Sequence, residues 1–277
     1  MPTKKIADVA LYYEMDGVGP ATVAFLNGIA MTVKSWQPIR EHLVAGGFRC
    51  LLHDFRGQLC SDRPTDSPYS LDLHAADFLG LLDALSLESV HLVGTSYGAE
   101  IGMIFAYSYP ERVRTLTLIA AASELDGLLR AAAKSWQAAA DCGAVPFFRC
   151  MAPWAYCSQY LTQNQQLLQA QEEATTRFPP DFFVAFKELV RAFLQLDITV
   201  ELERIACPTL VICADQDLLK GPRFGRLIHD RIANSEFVVI PGAGHAVVLE
   251  QPERVTDWAI EFIDRHLEMG ATLRRSP

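Results

Sequence analysis

A serine between two glycines stands where an apolar run gives way to a helical pattern. The segment Gly94–Gly98 reads GTSYG, follows the run Ser89–Val93 and precedes a helix predicted over Ala99–Tyr109. A Gly-x-Ser-x-Gly turn between a strand and a helix holds the serine in a strained conformation that exposes its hydroxyl. Such strain costs about 1–3 kcal/mol and collects at functional sites. An ordinary tight turn is the alternative, but the flanking elements favour Ser96 as a nucleophile.

A serine hydroxyl attacks poorly until a base takes its proton and an acid orients that base. His245 ends the glycine-rich segment Pro241–His245, which follows the apolar run Phe237–Ile240. Asp217 comes shortly after another apolar run, Thr209–Cys213. Because the carboxyl ends of parallel strands meet at one edge of a sheet, the serine, histidine and aspartate are expected to lie together there.

The identity of the acid rests on a choice between two neighbours, Asp215 and Asp217. We assign the acid to Asp217. Asp215 then has the turn or capping role that aspartate commonly plays after a strand. The two assignments predict opposite rankings of the corresponding asparagine variants.

Acyl transfer also needs hydrogen-bond donors for the oxyanion of the tetrahedral intermediate. One donor is expected to be the backbone amide of Tyr97, directly after the nucleophile. The other is expected from the loop Asn27–Met31 after an earlier strand, at the amide of Ile29. A plain turn at Asn27 and Gly28 is the alternative for that loop.

Apolar runs alternate with amphipathic stretches, which predicts an α/β fold: a mostly parallel central sheet with helices on both faces. The predicted strands are Leu11–Met15, Thr22–Asn27, Arg49–His53, Val90–Val93, Thr115–Ile119, Thr209–Cys213 and Glu236–Ile240. The predicted helices of this core are Val33–Ala45, Leu71–Leu85, Ala99–Tyr109, Arg223–Arg231 and Pro252–His266. Residues 269–277 are interpreted as a frayed tail.

The alternation stops over residues 123–202, where the spacing is helical throughout. We interpret this stretch as an all-helical cap or lid inserted into a core formed by residues 1–122 and 203–277. Its many aromatic residues allow two interpretations. They pack among themselves and on the core, or some of them line an apolar substrate cavity beneath a lid.

Composition limits the function classes. The 277 residues carry 24 Lys and Arg against 33 Asp and Glu, a formal net charge of −9, which argues against a nucleic-acid or anionic-membrane surface. The first residues lack the apolar core of a signal peptide, and no run reaches the roughly 18 apolar residues of a membrane span. A cytoplasmic enzyme is expected. The seven cysteines show no Cys-x-x-Cys and no histidine at ligand spacing, so no metal site is predicted.

Several segments together resemble the α/β-hydrolase superfamily. Residues 54–64 (DFRGQLCSDRP) resemble its Asp-x-Arg-Gly-x-Gly-x-Ser loop, residues 109–113 (YPERV) a helix exit, and Cys207–Val211 the strand before the acid. The order serine, aspartate, histidine along the chain is also that of α/β-hydrolases. A serine at position 96 argues against the dehalogenases and epoxide hydrolases of similar fold, which use aspartate there. Two positions depart from the pattern, Asn27 where histidine is common and Leu59 where glycine is common.

Within the superfamily the chain resembles the lidded group that includes 3-oxoadipate enol-lactonase and related esterases. The resemblance implies a serine hydrolase that cleaves an apolar ester, lactone or thioester through an acyl-enzyme, with a small-molecule substrate and no cofactor. Two other functions stay open at this point. One is a biosynthetic enzyme that releases a product, cyclises it or hydrolyses a carbon–carbon bond. The other is a slow-turnover receptor that keeps the triad and mainly binds a ligand.

Overall fold

Eight strands form one sheet in the computed structural model, which describes residues 2–273. The strands are β1 (Thr3–Ile6), β2 (Val9–Asp16), β3 (Thr22–Leu26), β4 (Arg49–His53), β5 (Val90–Thr95), β6 (Val113–Ile119), β7 (Thr209–Ala214) and β8 (Ser235–Ile240). Their order across the sheet is β1-β2-β4-β3-β5-β6-β7-β8. The β1–β2 and β2–β4 pairs are antiparallel, and the remaining pairs are parallel.

The predicted fold class is confirmed, and all seven predicted strands are present with ends that differ by two residues or fewer. The sequence did not predict β1. This strand lies at the edge of the sheet and exposes most of its length, with Lys4 and Lys5 in its middle, so it lacks the apolar run that marks the other strands. Its partner β2 and helix packing hold it in place instead.

Eleven α-helices occur within the described residues. They are α1 (Gln37–Ala45), α2 (Leu71–Ala84), α3 (Tyr97–Ser108), α4 (Gly127–Asp141), α5 (Ala144–Ala155), α6 (Ser158–Gln163), α7 (Gln165–Thr175), α8 (Pro180–Phe193), α9 (Pro222–Arg231), α10 (Val247–Glu250) and α11 (Pro252–Leu273). Residues predicted to begin α1 form a separate 3-10 turn at Val33–Trp36 because Thr32 caps it. None of the helices in residues 2–273 is both long and apolar enough to cross a bilayer.

The last helix is longer than the sequence indicated. Helix α11 continues to Leu273, past the predicted end at His266 and into the segment interpreted as a tail. The remainder of that predicted tail, residues 274–277, lies outside the described residues.

Helices α4 to α8 interrupt the strand-helix alternation between β6 and β7, in the region where the sequence predicted only helices. The chain enters and leaves this region at one place. Glu124 pairs with Asp197 in an isolated antiparallel bridge, and the amide of Ile198 donates to the carbonyl of Ser123 at 2.9 Å. We refer to residues 123–202 as the helical insertion.

The aromatic residues of the insertion fall into two groups, one packed among themselves and one at a cavity wall. Phe147 lies edge-to-face against Phe183 and Phe186, with ring centroids 5.4 and 4.7 Å apart. Phe182 packs on Phe178 in the same cluster, at 4.9 Å. Edge-to-face packing of this kind gives the insertion a core of its own. Others of its aromatic residues line the cavity described below.

Three buried histidines make the stability of the protein sensitive to acid. Burial lowers the pKa of His53 and His74 to about 3 and that of His91 to about 4. An unfolded histidine has a pKa of about 6.5. Below that value the unfolded chain binds protons that the folded chain does not, so we expect the free energy of unfolding to fall from pH 6.5 towards pH 4. The three together give a slope of up to about 4 kcal/mol per pH unit.

Urea unfolding at several pH values between 7.5 and 5 measures this slope. We expect His74→Leu to make the slope shallower than in the wild type. Replacement of the exposed His42 by asparagine is the control and leaves the slope unchanged. Equal slopes in the wild type and His74→Leu would contradict the expectation.

Candidate active site

Ser96 is the single residue between strand β5 and helix α3. Its backbone has φ 52° and ψ −120°, a left-handed conformation that is rare for residues other than glycine. Two glycines make room for the turn. A Cβ added to Gly98 would lie 2.1 Å from the carbonyl oxygen of Leu26, and one on Gly94 would lie 2.6 Å from the carbonyl oxygen of Gly98. The strained turn indicated by the sequence is therefore present.

The three side chains expected at the sheet edge lie in hydrogen-bond contact. His245 Nε2 is 2.9 Å from Ser96 Oγ, and His245 Nδ1 is 2.8 Å from Asp217 Oδ2. The residues follow β5, β7 and β8, whose carboxyl ends lie at one edge of the sheet, with β6 between β5 and β7. With the proton on Nδ1 donated to Asp217, Nε2 is free to accept the serine proton.

The structure separates the two candidate acids. Asp217 is buried, and its second oxygen, Oδ1, accepts from the amides of Leu219 and Lys220 at 2.8 Å each. Burial alone would raise the pKa of Asp217, but His245 and the two amides outweigh it, so the pKa is lowered and the carboxylate stays charged. Asp215 is exposed and accepts from the amide of Gly242 at 2.7 Å, which is a turn contact.

The loop that carries His245 is tied to the helical insertion. Glu250 Oε1 accepts from the amide of Gly244 at 3.0 Å and from that of Cys157 at 3.3 Å. The amide of Ala246 donates to the carbonyl of Ala155 at 2.7 Å. The end of α5 and the histidine loop are thus joined on both sides of His245. The contacts of Glu250 could not be predicted from the sequence, because its partners lie on separate elements.

The two amides expected to bind an oxyanion face the same cavity as Ser96. Ile29 and Tyr97 both line it. Within the described residues neither amide donates a hydrogen bond to a protein acceptor, whereas the amides of Ser96 and Met31 on either side of the site do. Both amides are therefore available to a ligand oxygen.

Asn27 holds the loop that contains Ile29. Its side-chain nitrogen donates to Asp54 Oδ1 and Gln58 Oε1 at 3.0 Å each, and its oxygen accepts from Trp36 Nε1 at 2.8 Å. Gln58 in turn donates to the carbonyl of Gly28 at 2.9 Å. This fully buried network fixes the loop backbone, so Asn27 has a structural role here. Leu59, the second departure from the family pattern, lines the cavity.

A cavity of about 940 Å³ opens above Ser96 and His245, between the core and the helical insertion. Aromatic side chains of the insertion form much of its wall: Trp136, Phe147, Phe148, Tyr156, Phe178 and Phe193. Another part of the wall is polar and comes from the segment before and within α1: Thr32, Lys34, Ser35, Gln37, Glu41 and His42. A cavity of this size accommodates a drug-sized molecule with an apolar body.

The fold matches that of known proteins. A family model described as alpha/beta hydrolase fold matches residues 21–141. The enol-lactonase of Burkholderia xenovorans LB400 superposes with a TM-score of 0.82 at 23% identity, over 95% of this chain and 100% of that one. A thermophilic esterase from Thermogutta terrifontis, solved with malate bound, gives a TM-score of 0.83 at 26% identity, over 96% and 99%. The chain has the α/β-hydrolase fold. The family model and these structures support the superfamily predicted from the sequence motifs.

A relative with a similar sequence carries a narrower name. RutD of Caulobacter sp. strain K31, provisionally named a carbamate hydrolase, is 29% identical over 260 residues, which span 91% of this chain and 95% of that protein.

Among the described residues of this α/β-hydrolase, no group of three or more histidine, cysteine, aspartate or glutamate side chains is arranged to hold a metal ion.

One charged pair beside Ser96 was not predicted from the sequence. Lys220 is only 2% exposed, and its Nζ lies 3.2 Å from Ser96 Oγ and 2.9 Å from each carboxylate oxygen of Glu100. Glu100 is fully buried and also accepts from the amide of Ala122 at 3.0 Å. One feature of the sequence indicates that Glu100 is unusual. Glu100 is the only charged residue in α3, one turn after Ser96.

Proposed function

We propose that this chain is a serine hydrolase that cleaves carboxylic esters, lactones or thioesters with an apolar acyl or ring portion. The observation that carries the proposal is the unbroken chain of hydrogen bonds from Asp217 through His245 to Ser96. It ends on a strained serine at the wall of a largely apolar cavity. An activated serine, its base and its orienting acid are the parts that acyl transfer requires.

Acylation begins when Ser96 Oγ attacks the substrate carbonyl and His245 Nε2 takes the serine proton. The electron pair of the carbonyl moves to its oxygen, which the free amides of Ile29 and Tyr97 bind. Asp217 holds the imidazole in the required tautomer and stabilises its positive charge. When the intermediate collapses, the leaving group departs with the proton from His245, and the acyl group stays on Ser96.

Deacylation repeats these steps with water. His245 removes a proton from water, the hydroxide attacks the acyl carbonyl, and the same two amides bind the oxyanion. Collapse returns the proton to Ser96 and releases the carboxylic acid. For a lactone the leaving hydroxyl and the acid stay in one molecule.

We further propose that residues 123–202 act as a cap whose aromatic wall selects the apolar part of the substrate. Burial of apolar area in such a wall contributes about 25 cal/mol per Å², so a longer acyl chain gains binding energy until the cavity is full. The polar segment around α1 then receives the more polar leaving group. Carbamates present the same acyl carbonyl, and the name of the RutD relative places them among the substrates to test.

Hydrolysis of a panel of p-nitrophenyl esters of graded acyl length tests the proposal, together with simple lactones and a p-nitrophenyl carbamate. In parallel, a fluorophosphonate labels the nucleophile, and peptide mass spectrometry locates the adduct. We expect turnover of at least one ester or lactone and a single adduct at Ser96. A protein that hydrolyses none of them and takes no label would contradict the serine mechanism and favour a ligand receptor.

Filling the aromatic wall is expected to shorten the preferred acyl chain. Ala152 lines the cavity from helix α5, and replacement by phenylalanine adds a ring to that space. We expect Ala152→Phe to lower kcat/KM for long acyl esters by about tenfold or more while acetyl esters change little, because only long chains reach the added ring. The exposed Ala138 on α4 gives the control variant Ala138→Phe. An unchanged acyl-length profile in Ala152→Phe would place the acyl chain elsewhere.

A further inference from the structure

We propose that Lys220 and Glu100 form a positioning pair that directs the Ser96 hydroxyl towards His245 and stabilises charge on Oγ during acyl transfer. The proposal rests on the proposed serine mechanism. It places a cation beside the nucleophile, in addition to the serine, histidine and aspartate described above. The pair acts through Ser96 and does not contact substrate.

The three donors of the Lys220 ammonium are all used within the protein. Two face the carboxylate oxygens of Glu100 at 2.9 Å, and one faces Ser96 Oγ at 3.2 Å. The Phe193 ring lies 4.7 Å from Nζ on another side. Since an ammonium has three N–H groups, no donor remains for a substrate carboxylate, although Lys220 borders the cavity. The geometry therefore points to Ser96 as the target of this cation.

Stability alone does not account for this pair. Both side chains are almost completely buried, at 2% and 0% exposure. Buried ion pairs are often no more stabilising than apolar residues of the same volume, because each ion loses its hydration. Burial accordingly raises the pKa of Glu100, against the opposing effects of Lys220 and of the Ala122 amide. A charge kept at this cost beside a nucleophile is expected where it assists the reaction.

The contact orients the single proton of the hydroxyl. Ser96 Oγ accepts from Lys220, so its own proton is left to point at His245 Nε2, 2.9 Å away. As that proton moves to His245, negative charge grows on Oγ and the nearby ammonium stabilises it. Lys220 itself transfers no proton. The same contact assists deacylation, when Oγ becomes the leaving group of the acyl-enzyme.

Glu100 offsets the effect of the Lys220 charge on His245. His245 becomes a cation during each step, and an uncompensated ammonium nearby would disfavour that state. The charged groups near His245 include Asp217, to which it is bonded, the neighbouring Glu100 and Lys220, and Glu250, which accepts from the amide of the adjacent Gly244. Glu100 balances Lys220, so the pair adds little net charge beside the histidine.

The test removes both charges together, in Lys220→Met/Glu100→Gln, so that no unpaired ion is left buried. We expect kcat on the best ester and the rate of fluorophosphonate labelling of Ser96 to fall together by about 10- to 100-fold, the range for loss of a hydrogen bond to a charged group. KM is expected to stay nearly constant because neither residue reaches the substrate. Circular dichroism and thermal unfolding establish that the variant is folded.

A second buried ion pair provides a matched control. Arg56 is 2% exposed and lies 2.6 Å from the buried Asp77, and neither residue borders the cavity. We expect Arg56→Met/Asp77→Asn to lose stability but to keep kcat and the labelling rate. If the Lys220/Glu100 variant also keeps both rates, the proposal is wrong. A wild type that takes no label at Ser96 would instead overturn the serine mechanism itself.

A single variant keeps the proposal testable if the double variant does not fold. Lys220→Gln retains a donor near Ser96 and removes the cation. We expect kcat and the rate of fluorophosphonate labelling to fall together while KM stays nearly constant. A purely structural lysine would leave the labelling rate of the folded variant unchanged, and this result would also overturn the proposal.

Discussion

Replacement of Ser96 by alanine is expected to lower kcat on any ester or lactone substrate by about a millionfold, close to the loss seen when a whole triad is removed. The variant lacks the atom that forms the acyl-enzyme, while the amides of Ile29 and Tyr97 still bind the carbonyl oxygen. The fold is expected to survive, because alanine occupies the same φ of 52° with no larger side chain. The lost contacts are those to His245 and Lys220.

The measurement is the steady-state rate on the best ester of the panel, with burst kinetics to count active sites. Ser89 offers a matched control because it directly precedes β5, at the end of that strand opposite to Ser96. Ser89→Ala is expected to keep the wild-type rate. Undiminished turnover in a folded Ser96→Ala protein would exclude the serine mechanism.

Asp217→Asn is expected to lower kcat by about 10⁴-fold, the magnitude found when the acid of a serine triad is replaced by its amide. The amide group cannot stabilise the imidazolium, and it favours the wrong tautomer of His245. The effect is enlarged by the surroundings, since Asp217 also accepts from the amides of Leu219 and Lys220. An asparagine NH₂ is a donor, so if it faced His245 or the two amides it could not accept the hydrogen bonds that the carboxylate accepts there.

Asp215→Asn is the matched control for the acid. Asp215 is exposed, and its contact is the amide of Gly242 at 2.7 Å, which an asparagine oxygen can also accept. We expect less than about a tenfold change in kcat. Equal losses in the two variants, or a larger loss in Asp215→Asn, would reassign the acid.

The elements that carry the triad could be predicted because each depends on a short stretch of sequence. Ser96 sits in a pentapeptide between a strand and a helix, and His245 and Asp217 each follow an apolar run. Parallel pairing of those runs is enough to bring the three to one edge. Element ends were less certain, as at α11, because local periodicity does not show where packing stops a helix.

The surroundings of the triad could not be predicted, because their contacts join distant positions. Lys220 and Glu100 are 120 positions apart, and Asn27 and Gln58 are 31 apart. Which side chains meet across such separations is decided by how α3, the loop after β7 and the loop after β4 pack. A motif predicts a nucleophile, but it does not predict the charges that surround it.

The bonds that join the end of α5 to the loop of His245 make that end of the insertion a fixed pivot. The amides of Gly244 and Cys157 both donate to Glu250, and the amide of Ala246 donates to Ala155. A rotation of the insertion relative to the core would therefore have its axis near His245. We therefore expect substrate to enter on the side of the cavity that Lys34 and His42 line. A bulky acyl group that displaces α5 would also displace the histidine loop, so we expect substrate size to affect the turnover rate as well as the affinity.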